Sequence, residues 1–162
     1  RDLVRSRGLG DVYKRQDICQ KEFSGVIKDY YILTPLSNET MTIFVPVNNK
    51  LLTNRIKRIL SKGEICDLIT TASSKPINWI IDDNERKEHY RTILSSGNRL
   101  EILNMIRELY IHKQEQLKNG KKMHLSDEQL MKEAERLLYS EFSLVLNIRA
   151  DEVPKFISSR IN

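Results

Sequence analysis

The segment best suited to chemistry is KPINWIIDDNERKEHYR, which begins at Lys75 and contains Trp79, the only tryptophan of the chain. Trp79 lies on the polar approach to a predicted helix rather than within an apolar run. An aromatic side chain so placed can insert at a minor-groove base step, where contacts to distorted DNA offset an unstacking cost of about a few kcal/mol. The alternative is a core residue that caps a helical bundle. The residue pattern alone leaves both interpretations open.

Three cations follow the tryptophan within the predicted helix. Arg86 and Lys87 are adjacent, and Lys87 and Arg91 are four residues apart, so the latter two share one helical face. Such a face can follow DNA phosphates beside an inserted ring. We therefore name Trp79, Arg86, Lys87 and Arg91 as candidate DNA-binding residues, with an ordinary solvated helix face as the alternative.

Signals for catalysis or metal binding are weak. The three histidines, His89, His112 and His124, are far apart, and no pair has the spacing that places two imidazoles on one helical face for zinc. Asp82 and Asp83 are more typical of first-turn acids that stabilise a helix N-terminus. No phosphate-binding loop, dinucleotide-binding turn or nucleophile elbow is present. We predict no catalytic residues, no metal and no cofactor, and a metal-dependent enzyme using the histidines is the weakest alternative.

Residues 1–16 have a sequence that we do not expect to belong to the natural protein. The string SRGLGDVYKRQ resembles the translation of a transposase-based sequencing adapter, so we expect residues 1–16 to be an adapter-derived scar. The whole chain has 27 basic and 22 acidic residues. Without the five basic and two acidic residues of that segment, 22 basic residues face 20 acidic ones, a net charge of +2. Overall basicity is therefore no argument for nucleic-acid binding, and any polyanion contact must come from local clusters.

Composition also bears on the compartment. No run approaches the roughly 18 apolar residues of a membrane helix. Cys19 and Cys66 lack metal-type spacing and are too few for a disulfide framework. These features predict a protein without membrane association in a reducing cytoplasm. We also expect a monomer, although neither feature bears on the oligomeric state.

The residue pattern along the chain predicts an α+β protein with two parts. Residues 17–60 favour a small antiparallel β domain: YYILTPL and MTIFVPV flank the turn-like SNET, Gly25 marks a preceding hairpin, and RIKRIL predicts a further short strand. Residues 61–162 favour an all-α bundle of four or five amphipathic helices. Ser61 and Asn98 are predicted N-caps, each with a glutamate three residues later, and Ser126 is predicted to cap another helix. Asp151 is expected to begin a short terminal helix.

The order and spacing of several segments resemble the CarD/CdnL family of bacterial transcription regulators that bind RNA polymerase. The segments are YYILTPL and MTIFVPVNN, then INW before a helix, then SGNRLEILNMIRELY and LMKEAERLLYSEFSLVLNI, and the resemblance spans residues 17–157. It implies a Tudor-like (SH3-like) β domain, residues 17–60, that docks on the polymerase β subunit. It also implies a helical domain, residues 61–162, that contacts promoter DNA largely without sequence specificity.

The resemblance assigns roles to individual residues. Trp79 falls on the family's tryptophan at the upstream edge of the melted DNA, where it favours the open promoter complex. Lys21, Phe23 and Phe44 match the polymerase-facing positions, with Phe44 where relatives carry arginine. The implied location is cytoplasmic, associated with the nucleoid through polymerase.

Two further expectations follow. The family's first strand belongs before Asp17, where the adapter-like segment lies, so we expect a sheet truncated of its first strand with an unpaired edge. The alternative function is a protein-interaction module that binds polymerase or a repair translocase without DNA contact.

Overall fold

The computed structural model describes residues 3–6 and 12–161, and the chain divides into two compact units, Arg1–Leu60 and Ser61–Asn162. The first is an antiparallel sheet and the second is helical, which confirms the predicted α+β class. Among the described residues, none of the helices combines the length and apolar composition needed to cross a bilayer.

The described residues of the first unit form a five-stranded antiparallel sheet. Its strands run β1 Leu3–Ser6, β2 Val12–Phe23, β3 Val26–Pro35, β4 Ile43–Pro46 and β5 Ile56–Arg58, in the spatial order β4-β3-β2-β1-β5. A short helix, α1 Lys50–Thr53, separates β4 from β5. The strands predicted from YYILTPL, MTIFVPV and RIKRIL are thereby confirmed.

The longest pairing is the β2–β3 hairpin. It turns on Ser24 and Gly25, which both have positive φ angles, of 52° and 77°. Two such residues in a two-residue loop match the right-handed twist of the flanking strands. The register shifts between Arg15 and Ile18, which marks a bulge. The predicted hairpin at Gly25 is confirmed.

The expectation of a missing strand is wrong for this chain. β1 pairs with β2 on one side and with β5 on the other, within the segment predicted to be adapter-derived. The physical reason is that Val4 of β1 and Tyr13 of β2 are apolar at the positions that face the core. Val4 is 5% exposed and packs with Tyr13, Leu33 and Val45. The adapter origin of residues 1–16 stays a prediction.

In the second unit, residues 61–161, which the structure describes, contain five α-helices. They are α2 Lys62–Ser74, α3 Asp83–Ser96, α4 Arg99–Lys118, α5 Leu125–Leu146 and α6 Val153–Ile161, with a 3-10 turn at Ala150–Glu152. Their apolar faces meet in one core, in which the side chains with the lowest exposure are Ile65, Ile69, Ile102, Met105, Leu109, Ala134, Leu138, Phe142 and Val153.

Local capping sets the helix ends. The Ser61 side chain accepts a hydrogen bond from the Glu64 amide, and that of Asn98 accepts one from the Glu101 amide, as predicted. The predicted cap at Ser126 is wrong, because α5 begins at Leu125 with His124 as its N-cap residue and no side-chain cap bond. The earlier start places Asp127 in the first turn of α5.

Candidate nucleic-acid interface

Trp79 lies in the connection between α2 and α3, residues 75–82. Lys75 ends α2 in an extended conformation, as expected for a residue before a proline, here Pro76. At the other end the Asp82 carboxylate accepts a hydrogen bond of 2.8 Å from the Glu85 amide and so begins α3. Two local signals therefore end α2 and begin α3 on either side of Trp79, so the segment that carries it belongs to neither helix.

The indole ring of Trp79 is contacted by an imidazole and by a guanidinium. The His112 imidazole of α4 stacks on it, with ring centroids 3.8 Å apart and an interplanar angle of 12°. The Arg86 guanidinium of α3 lies 4.5 Å from the centroid of the indole, a cation–π geometry. Trp79 is half-buried, and Ile81 beside it is 87% exposed. The indole is thus supported by two helices, and the residue is only partly buried.

The backbone on each side of Trp79 is also tied to the helices. The Asn78 amide donates to Glu108 Oε1 of α4 at 3.4 Å, and the Tyr90 hydroxyl of α3 donates to Glu108 Oε2 at 3.0 Å. Burial, together with the nearby Glu108 carboxylate, raises the pKa of Tyr90 well above its usual range. Tyr90 therefore stays a neutral hydrogen-bond donor and holds Glu108 in place.

Arg86 occupies a position that differs from the prediction. It is 2% exposed, and each of its five N–H groups has an acceptor. Nε and Nη2 donate to the two Asp127 carboxylate oxygens at 3.0 and 2.8 Å, and Nη2 also donates to Asp83 at 2.7 Å. Nη1 donates to the carbonyl oxygens of Ile80 and Ile81 at 2.9 and 3.3 Å.

The interpretation of Arg86 as a phosphate contact is therefore wrong in this structure, because a buried guanidinium with every donor engaged has none left for DNA. Arg86 instead supports the segment that carries Trp79. Its guanidinium contacts the indole of Trp79 and donates to the backbone carbonyl groups of the next two residues, Ile80 and Ile81. Its partner Asp127 is 1% exposed and belongs to α5. Three helices therefore converge on the connection that carries Trp79.

The other two predicted phosphate contacts lie nearer solvent. Lys87 is half-buried. The Arg91 side chain is 55% exposed and forms a 3.0 Å ion pair with Glu88, whose side chain is 73% exposed. An exposed pair of this kind is worth little energetically. Lys87 and Arg91 thus stay candidates for phosphate contact.

The charge state of His112 follows from its surroundings. Burial lowers its pKa, and the positive charges of Arg86 and His124 lower it further, whereas Asp127 and Glu115 raise it. The net direction is downward, so the imidazole stacked on Trp79 is neutral at neutral pH.

The β unit brings Lys21, Phe23 and Phe44 together on one face of the sheet. The rings of Phe23 and Phe44 are 5.9 Å apart at 60°, and the Lys21 ammonium lies 5.7 Å from the centroid of the Phe44 ring. Tyr30 completes the group, 5.3 Å from Phe23. Phe23 is 49% exposed. We call Lys21, Phe23, Tyr30 and Phe44 the aromatic face.

Metal binding receives no support from the residues that the structure describes. Among them, no group of three or more His, Cys, Asp or Glu side chains is placed to hold a metal ion. His112 packs on Trp79, and Cys19 and Cys66 are both free and half-buried.

Comparison with known protein families shows the family to which the chain belongs. The family model described as CarD, C-terminal domain, matches residues 64–158, which is more than half of the chain. The chain belongs to the CarD family. None of the curated proteins compared with the chain matches it. CarD proteins are transcription factors without enzymatic activity, so this chain is a CarD-like, transcription-associated protein.

The matched CarD domain contains the whole support of the tryptophan. The matched range includes Trp79 and Arg86, continues through α4 and α5 and ends at residue 158, within α6. Sequence reasoning missed three members of this support: Glu108, His112 and Asp127. Glu108 and His112 are four residues apart, so they lie one turn apart on one face of α4. That spacing was visible in the sequence, but only the fold shows that the face meets Trp79.

Proposed function

We propose that this CarD-family chain is a non-enzymatic transcription regulator that binds the RNA polymerase β subunit and promoter DNA. In this proposal Trp79 meets the upstream edge of the transcription bubble and stabilises the open complex. The contact needs no base-specific recognition and no cofactor. The observation that carries the proposal is that Trp79 is only half-buried while its indole is supported by His112 and Arg86.

The energetic logic is differential binding. An aromatic wedge gains contacts only where base pairs have parted, so it binds melted DNA better than duplex DNA. A ligand that prefers one of two states shifts their equilibrium by its difference in affinity and by no more. A Trp79 contact restricted to the open complex would therefore lengthen the lifetime of that complex.

The neighbouring charges suit backbone contact. Lys87 and Arg91 lie on α3, which begins just after the tryptophan segment. Each phosphate neutralised by such a cation releases counterions, so the binding it supports weakens as salt rises. Because Arg86 is engaged internally, the phosphate-binding contribution falls to these two residues.

The proposed polymerase contact is the aromatic face. A partly exposed cluster of aromatic rings beside a cation supports protein recognition, since aromatic residues dominate interface energetics. The phenylalanine at position 44 makes this surface more apolar than an arginine would. The β strands next to it suit recognition through a sheet edge or sheet surface.

The test is the lifetime of the open promoter complex with Trp79→Ala. We expect the lifetime to fall by about ten-fold, equivalent to about 1.4 kcal/mol of lost contact. Tyr110→Ala is the matched control, because Tyr110 is 54% exposed and lies two residues, or about 200° around α4, from His112. An unchanged lifetime for folded Trp79→Ala would refute the wedge role.

The alternative, a module that binds polymerase without touching DNA, gives a different outcome. A photo-crosslinker at position 79 should react with promoter DNA in the open complex if the wedge proposal is correct. Crosslinking to protein alone would favour the interaction module.

A further inference from the structure

The surroundings of Trp79 form a set of contacts from three helices. The indole stacks on His112 of α4, and it contacts Arg86 of α3, which is fixed by Asp127 of α5. The amide before the tryptophan donates to Glu108, and the two carbonyl groups after it accept from Arg86. Trp79 is thus held through its ring and through both flanking stretches of backbone.

A core tryptophan would not need this arrangement. A side chain in a bundle core is normally fixed by surrounding apolar side chains. Trp79 is instead half-buried and lies against an imidazole and a guanidinium, both polar groups. Trp79 is thus incompletely buried, and contacts to polar groups restrict the orientation of its ring. This combination suits a ring that must be presented in one orientation to a partner.

We infer that His112 is a positioning residue that, together with the Arg86–Asp127 ion pair, sets the orientation of the Trp79 indole before it meets DNA. His112 supplies a flat surface parallel to the indole, and Arg86 holds the backbone next to it. The inference rests on the proposed function for its DNA consequence. Its structural part, a restricted indole, can be measured without DNA.

Among His112, Arg86 and Asp127, His112 is the residue best suited to mutation. It is half-buried, whereas Arg86 and Asp127 are almost fully buried and their loss endangers the fold. His112→Ala removes the stack. His112→Leu keeps apolar volume without a flat ring, and His112→Phe keeps a flat ring without a titratable nitrogen. His89→Ala is the matched control, because His89 is exposed on α3 and its ring contact is to Tyr90.

The first measurement is the fluorescence anisotropy and acrylamide quenching of the full chain without DNA. Trp79 is the sole tryptophan, so these signals report on this ring alone. We expect His112→Ala and His112→Leu to lower the anisotropy and increase quenching, while His112→Phe and His89→Ala stay close to the parent. If both Ala and Leu variants fold, by circular dichroism, and leave the fluorescence unchanged, the inference is overturned.

The second measurement is open-complex lifetime. We expect His112→Ala to shorten it by about two- to ten-fold, the range that corresponds to loss of one aromatic stacking pair, with recovery in His112→Phe. In a Trp79→Ala background, His112→Ala should have no further effect, because the ring it positions is gone. An equal additional loss in that background would contradict the positioning role.

The two proposals fail separately. If His112→Ala loosens the ring but neither it nor Trp79→Ala changes the lifetime, positioning stands and the proposed wedge function fails. If Trp79→Ala shortens the lifetime while His112→Ala alters neither fluorescence nor lifetime, the wedge stands and positioning by His112 fails.

Discussion

At the scale of single residues, Arg86 shows how burial changes the role of a charge. In the sequence it resembles its neighbour Lys87, a cation on a polar helix. In the structure its guanidinium is enclosed by two carboxylates and two carbonyl groups. A planar group with five donors can satisfy all of them at once, which an ammonium group with three donors cannot. The residue therefore connects α3, α5 and the Trp79 segment.

Asp127→Asn tests the importance of that ion pair. The substitution keeps the shape of the side chain but removes the charge. Among the described residues, Arg86, which is 2% exposed, then keeps Asp83, which is more exposed, as its carboxylate partner. We expect the free energy of unfolding to fall by about 3–5 kcal/mol, as when one partner of a buried pair is lost. Urea denaturation followed by Trp79 fluorescence measures it.

The matched control is the exposed ion pair between Glu88 and Arg91 on α3, the helix that also carries Arg86. Glu88→Gln removes a carboxylate from the pair with Arg91, and we expect a change within about 0.5 kcal/mol. A loss as small for Asp127→Asn would mean that the buried pair contributes little to the stability of the helical unit.

At the scale of secondary-structure elements, two glycines illustrate opposite backbone requirements. Gly25 has φ +77° in the β2–β3 turn, and an added Cβ would meet no atom within 4 Å. Gly63 lies in the first turn of α2, where the nearest atom to an added Cβ is Ser61 Oγ at 4.0 Å. Space is available at both positions, so backbone conformation alone separates them.

Substitution by alanine should therefore have opposite effects at the two positions. Gly25→Ala should destabilise the β unit by about 1–2 kcal/mol, because an L residue is strained in the left-handed region. Gly63→Ala should stabilise the helical unit by about 0.4–1 kcal/mol, because it restricts the unfolded chain and favours the helix. Thermal denaturation of both variants measures the signs, and two shifts in the same direction would contradict this account.

Local signals made much of the fold predictable. The caps at Ser61 and Asn98 and the turn at Gly25 each depend on a few neighbouring residues, and the structure confirms each of them. β1 lies in the segment interpreted as adapter-derived, so it is not among the strands predicted from the sequence. Its pairing with β5 joins residues 50 or more positions apart, which no local pattern indicates. The candidate site divides in the same way. Trp79 is a candidate from its position in the sequence alone, whereas the burial of Arg86 and the stack with His112 depend on tertiary packing.

At the scale of the whole molecule, two units with separate cores carry the two proposed contacts. The β unit has its core around Leu33, and the helical unit has its core around Leu109 and Phe142. The aromatic face lies in the first unit and Trp79 in the second. A tether in one unit raises the local concentration of the other at its target, so a weak DNA contact suffices.

Phe23→Ala tests the tether independently of the wedge. Phe23 is 49% exposed, and we expect its loss to weaken binding to the isolated polymerase β subunit by at least about five-fold, the effect of an interface residue worth about 1 kcal/mol. Titration calorimetry or surface binding measures it. Trp79→Ala should bind the β subunit as the parent does.

Ile27→Ala is the control for this experiment. Ile27 is 65% exposed and follows Val26, the partner of Phe23, so it points to the opposite face of the same hairpin. Equal losses for Phe23→Ala and Ile27→Ala would show that the aromatic face is not the specific contact surface.

The anchoring of residues 78–81 also has a thermodynamic consequence. A tryptophan on a free loop would surrender backbone and rotamer entropy at the moment it engaged its target. Here hydrogen bonds to Asn78, Ile80 and Ile81 have already removed that freedom when the domain folds. In the proposed function, binding of promoter DNA by Trp79 therefore costs less conformational entropy, and the same contact area gives a higher affinity.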